Sequence, residues 1–157
     1  MQLIKDILST SMTLHLYWVV LIAIAYLFVH RNRHKPSFAI LDIILNYIPV
    51  LTHEFGHILF NKISGGHTED LVIVTSPRER IQTSRQGFAV TRARSRVTMI
   101  ITTLGGYMMP PLMLAVGLFA GYYHYPSLFV FSYLAIFIYF VLITSRKGIP
   151  ILLTILL

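Results

Sequence analysis

The chain has 157 residues, 55% of them hydrophobic and only 12% charged, with a formal net charge of +7 and no cysteine. That balance excludes an ordinary soluble domain and predicts a single integral membrane domain, and the lack of cysteine excludes disulfides and thiolate metal sites. The arginines adjoin apolar segments, where topology and anionic lipid account for them, so no nucleic-acid partner is expected.

The first apolar segment, near Met12–Val29, contains Ala23-Ile24-Ala25, which resembles a signal-peptide cleavage site. The apolar run continues past it, so a retained membrane helix is predicted. The second segment, Phe38–Phe60, is long enough to cross a bilayer and carries His53-Glu54-Phe55-Gly56-His57. Histidines at i and i+4 project from one helix face, so both imidazoles can bind one Zn²⁺ while Glu54 reaches water at the metal and takes its proton as general base. Ionisable groups inside a membrane helix are costly, which argues that these residues face a bundle interior and have a function. At about 100° per residue, Asp42, Asn46, His53, His57 and Asn61 share roughly a third of the helix circumference, with Glu54 at its edge. Pro49 frees the carbonyl of Leu45 and predicts a kink near the motif.

Ser64-Gly65-Gly66 is a stop signal for this helix. The region that follows, through Arg96, is the only sizeable polar stretch. Within it, Leu71–Thr75 and Gly87–Ala93 have strand character around a polar turn at Ser76–Gln86, which predicts a β-hairpin. Its exposed edge could hold an extended peptide, or it could simply join two helices.

A third span at Val97–Gly121 holds Gly105-Gly106, suited to close helix approach, and Pro110-Pro111, expected to break the helix. Tyr122, Tyr123 and Tyr125 form an interfacial belt before the fourth span, Ser127–Ile143. A fifth apolar run starts after Gly148 and reaches Leu157. The predicted fold is therefore an all-α polytopic membrane protein of about four transmembrane helices plus part of a fifth, with a small β-hairpin-like insertion after the HExxH helix. Residues 1–157 form one metallopeptidase-like domain and 61–96 its insertion.

With four spans, Lys5, the seven basic residues from Lys62 to Arg96, Arg146 and Lys147 fall on one side, ten charges against three at Arg31, Arg33 and Lys35. The positive-inside rule then places the amino terminus and the insertion in the cytosol, in a multi-pass protein of the cell membrane.

The HExxH motif in its membrane setting, Gly65-Gly66, the hairpin-like insertion and Leu104-Gly105-Gly106-Tyr107-Met108-Met109-Pro110-Pro111 together resemble the site-2 protease class of intramembrane zinc metallopeptidases, in its small bacterial branch without a PDZ domain. The likeness extends from about Asp42 to Gly117. It implies His53 and His57 as zinc ligands, Glu54 as the catalytic base, and zinc-dependent hydrolysis of membrane proteins within or next to their transmembrane segments. Transmembrane protein substrates and the lipid bilayer are the implied partners.

The family's third ligand is usually an aspartate on a later segment, whereas no Asp or Glu follows Glu79 here. Asp42 lies eleven residues, or roughly 16 Å of helix, from His53 and cannot serve. The favoured expectation is a chain that continues past Leu157 to that aspartate. The alternatives are completion of the site by His67, Glu69, Asp70 or His124, and an inactive relative. The alternative function is a non-catalytic membrane scaffold or pseudoprotease that binds transmembrane partners.

Overall fold

A computed structural model describes residues 16–146 and 148–156. The first four residues of the expected first span, together with Lys5 and Lys147 of the charge count, lie outside the described residues.

Helix α1, Leu16–Arg31, is apolar until its last turn, and Asn32 closes it by donating a side-chain hydrogen bond to the Phe28 carbonyl at 2.8 Å. Pro36 then opens α2, Pro36–Leu45, where its fixed φ suits the first turn of a helix. The segment expected to form one rod from Phe38 to Phe60 is instead two helices, α2 and α3 (Tyr47–Ile63), bent by 50°. Pro49 explains the break, because it has no N–H for the Leu45 carbonyl and therefore belongs in the first turn of a new helix. The Asn46 side chain donates across the break to the Asp42 carbonyl at 2.8 Å and to Asp42 Oδ1 at 3.0 Å.

The bend divides the predicted polar stripe. Asp42 is fully buried and accepts from Arg80 at 2.6 Å and from His30 Nδ1 at 3.0 Å, while Asn46 Oδ1 accepts from the Tyr26 hydroxyl at 2.8 Å. Asn61 is the stripe's other structural member: it is buried, donates to the His67 carbonyl at 2.8 Å, and meets the Thr102 hydroxyl at 3.1 Å.

Ser64 and Gly65 end α3 as the sequence predicts, Gly65 with a φ of +82° that suits glycine. Strands β1 (His67–Ile73) and β2 (Gly87–Arg92) pair antiparallel from His67↔Arg92 to Ile73↔Gly87, with an irregularity between Thr68 and Asp70. The first strand starts four residues earlier than its β-branched character suggests, because the Asn61 side chain fixes the polar start of the strand through His67. The expected turn contains a short helix, α4 (Pro77–Thr83).

The insertion folds back along α3. Gly87 packs on Val50 and Glu54, Gln86 donates to the Ile43 carbonyl at 2.8 Å, and α4 is tied by Arg80 to Asp42 and by Glu79 to Arg146 at 2.5 Å. Arg78 and Arg80 consequently line one cavity with His34 and with Arg33, which the charge count puts on the opposite side.

Helix α5, Arg96–Tyr122, starts at Ser95, whose side chain accepts from the Thr98 amide at 3.1 Å. It continues unbroken through Pro110 and Pro111, contrary to the expected interruption, since a helix packed against neighbours tolerates the carbonyls that proline frees. It runs antiparallel to α3, with Thr98 against Ser64, Thr102 against Asn61 and Gly105 against Gly56. A Cβ on Gly56 would stand 2.6 Å from that of Met109, so glycine sets this close approach. Helix α6, Pro126–Ile143, returns along α5, and α7, Ile149–Leu156, docks on the buried Tyr47, whose hydroxyl donates to the Pro150 carbonyl at 2.7 Å. Leu51, Ile58, Leu71, Ile73, Met109, Met113, Ile136 and Phe140 complete the core.

Helices α5 and α6 are long and apolar enough to cross a membrane, and the bent α2–α3 pair makes a third span if counted as one. The fold is mostly helical with one small sheet, as expected, and its outward apolar side chains, Leu118, Phe119 and Leu142 among them, fit a lipid environment. Among the described residues the candidate spans number two or three, where about four plus part of a fifth are expected.

Candidate metal centre

The three motif residues lie on the middle turns of α3, enclosed by α5 on one side and β2 on another. His53 and His57 turn their rings together, with centroids 4.7 Å apart and Nε2 atoms separated by 3.1 Å. His57 Nδ1 lies 2.7 Å from the Thr102 carbonyl. A carbonyl can only accept, so Nδ1 carries the proton and the His57 Nε2 lone pair is directed at His53.

Helix α5 makes room for this arrangement. Gly106 faces the His57 imidazole so closely that a Cβ there would lie 2.8 Å from Nδ1 and nearer still to Cε1 and Nε2. The next residue, Tyr107, sets its ring edge-on to His53 at 5.2 Å. The His53 ring meets the Gly106 carbonyl, the group left without a helical partner because Pro110, four residues on, has no N–H. On the opposite wall, the backbone N–H of Ala89 faces the Glu54 carboxylate, and Arg85 contributes positive charge nearby. Between these walls is a cavity of about 950 Å³, lined by His53, Glu54 and His57, by Gly87, Phe88, Ala89 and Thr91 of β2, and by Thr103 and Tyr107.

The model of the Peptidase M50B-like family matches residues 17–157. The chain belongs to that family. Membership bears out the resemblance to the site-2 protease class and places the chain among membrane peptidases, whose M50 members are generally zinc enzymes. No curated protein and no solved structure matches the chain.

The two histidines of this M50B-like chain fit zinc. Nitrogen ligands at the usual zinc distance on a tetrahedral ion lie about 3.3 Å apart, close to the 3.1 Å between these Nε2 atoms. A backbone carbonyl holding the outer nitrogen is the usual support for such a ligand. Among the described residues, however, no third His, Asp or Glu joins them in a group suited to a metal. Asp42 is committed to Arg80 and His30, Glu69 pairs with Arg92, Asp70 accepts from Ser145, and His124 lies in the turn beyond the far end of α5.

Sequence reasoning located His53, Glu54 and His57 through their spacing. It missed Thr102 and Ala89, which act through backbone groups and leave no trace in side-chain identity. Gly106 and Pro110 were visible as a packing and helix-breaking motif, but their relation to the histidine rings was not.

Proposed function

We propose that this chain is a zinc-dependent intramembrane endopeptidase that hydrolyses peptide bonds of membrane proteins within or next to their transmembrane segments. It acts as a single membrane domain of the cell membrane that includes the 61–96 insertion. The observation that carries the reading is the convergence of His53 and His57 at 3.1 Å, one ring held through Nδ1 by Thr102, in a cavity that Glu54 also lines.

His53 and His57 would hold the zinc. When bound, the ion supplies a Lewis acid that polarises the scissile carbonyl and lowers the pKa of water. Thr102 fixes the tautomer of His57, so its Nε2 stays available as a ligand. Glu54 takes the proton of the attacking water and delivers it to the leaving amine, oriented by the Ala89 amide on its other side. Strand β2 forms one cavity wall, and its edge can receive a substrate segment in extended form, exposing a peptide bond that a helix would hide.

Cleavage of a transmembrane substrate by the purified chain tests this reading. Glu54→Gln is expected to retain zinc and to lower the rate by a factor on the order of 10² to 10⁴, the contribution of a general base. A variant that cuts at the wild-type rate would show the assignment to be wrong. One observation favours a second reading, a non-catalytic scaffold for transmembrane partners: only two metal-ligating side chains converge among the described residues. In that case the wild type itself would bind such a segment and leave it intact.

A further inference from the structure

A second cavity, of about 920 Å³, lies between the α1–α2 turn and α4, and it shares only Gln86 with the cleft above. Its basic residues come from two distant parts of the chain, Arg33 and His34 from the turn and Arg78 and Arg80 from the insertion, and no acidic residue lines it. Arg80 is neutralised by the buried Asp42, and the neighbouring Glu79 is turned away to Arg146. Arg33 and Arg78 have no carboxylate partner among the described residues, and Arg33 is oriented by donating to His30 Nε2 at 2.7 Å. Ile40 and Ile81 line the same cavity with 58% and 80% of their surface exposed. Two guanidinium groups on one cavity without carboxylates suit a phosphate, and exposed isoleucines on the same cavity suit an acyl chain.

We propose that this cavity binds an anionic phospholipid, its phosphate between Arg33 and Arg78 and one acyl chain along Ile40 and Ile81. The site is independent of the peptidase assignment. A lipid seated there joins the α1–α2 turn to α4, in parallel with the Arg80–Asp42 pair, and steadies the insertion whose second strand walls the cleft.

The test uses the full chain in neutral detergent, titrated with phosphatidylglycerol or phosphatidylcholine in mixed micelles, with bound lipid counted by native mass spectrometry. Phosphatidylglycerol is expected to bind and phosphatidylcholine not. Each arginine near a membrane surface contributes about fivefold, so Arg33→Ala with Arg78→Ala should weaken binding about twenty-five-fold. Arg94→Ala with Arg96→Ala removes the same charge beyond β2 and should change nothing. Should the first pair fail to fold, Ile81→Ser, at an exposed position, is expected to weaken the lipid several-fold. Equal binding of both lipids, or undiminished phosphatidylglycerol binding by the Arg33/Arg78 variant or by Ile81→Ser, overturns the proposal. So does displacement of phosphatidylglycerol by millimolar inorganic phosphate alone, which would identify a site for soluble anions.

Discussion

Replacing Gly106 by alanine is expected to disable the metal centre while leaving the helix intact. The added Cβ would stand 2.8 Å from His57 Nδ1 and closer to two other ring atoms. Ordinary contact begins at about 3.4 Å, so the ring must retreat by the better part of an ångström in an interior that is close-packed. That movement breaks the 2.7 Å bond to Thr102 and separates the Nε2 atoms of His57 and His53. Loss of such a supporting contact weakens metal binding about 10- to 100-fold, and a displacement of about 1 Å costs on the order of 100-fold in rate. Stability should move less, because alanine gains roughly 0.5–1 kcal/mol over glycine inside a helix while overpacking costs about 1–3 kcal/mol. Zinc affinity by competition with a chromophoric chelator is the assay. Gly121→Ala, in the same helix with nothing within 4 Å of the added Cβ, is the control and should bind zinc as wild type does. Wild-type zinc affinity in Gly106→Ala would refute the claim that this glycine exists to admit the imidazole.

Pro110→Ala restores an N–H to the Gly106 carbonyl and sets it in competition with His53. Zinc affinity should fall by about tenfold, whereas Pro111→Ala, which returns a donor to Tyr107, should leave it unchanged; equal affinities in the two variants would show that Pro110 has no part in holding His53. Asp42→Asn removes the carboxylate that pairs with Arg80 and His30 and should destabilise the protein by about 1–3 kcal/mol in thermal unfolding, with zinc content unaltered because Asp42 is no ligand. Loss of zinc without loss of stability would reverse that assignment.

Local signals in the sequence correspond to the parts of the structure made by local forces. The i, i+4 histidines, the Gly65 helix stop and the two strands each depend on residues within a few positions, and all are present. The break at Asn46 was half legible: Pro49 announces a freed carbonyl, but the 50° bend also needs Asn46 to bridge to Asp42. The fold-back of the insertion was not legible. It rests on Arg80 with Asp42 and on Glu79 with Arg146, pairs separated by 38 and 67 positions that no periodicity connects. Pro110 and Pro111 were read as breakers from backbone chemistry alone, whereas packing of α5 against α3 keeps the helix continuous and places one freed carbonyl on His53.

The central claim is that His53 and His57 hold zinc. Elemental analysis of the detergent-purified full chain, beside a His53→Ala, His57→Ala double variant, tests it most directly. The expected result is about one zinc per chain in the wild type and none in the variant. A wild type that stays free of zinc even when zinc is supplied, or a variant that retains it, would contradict the account.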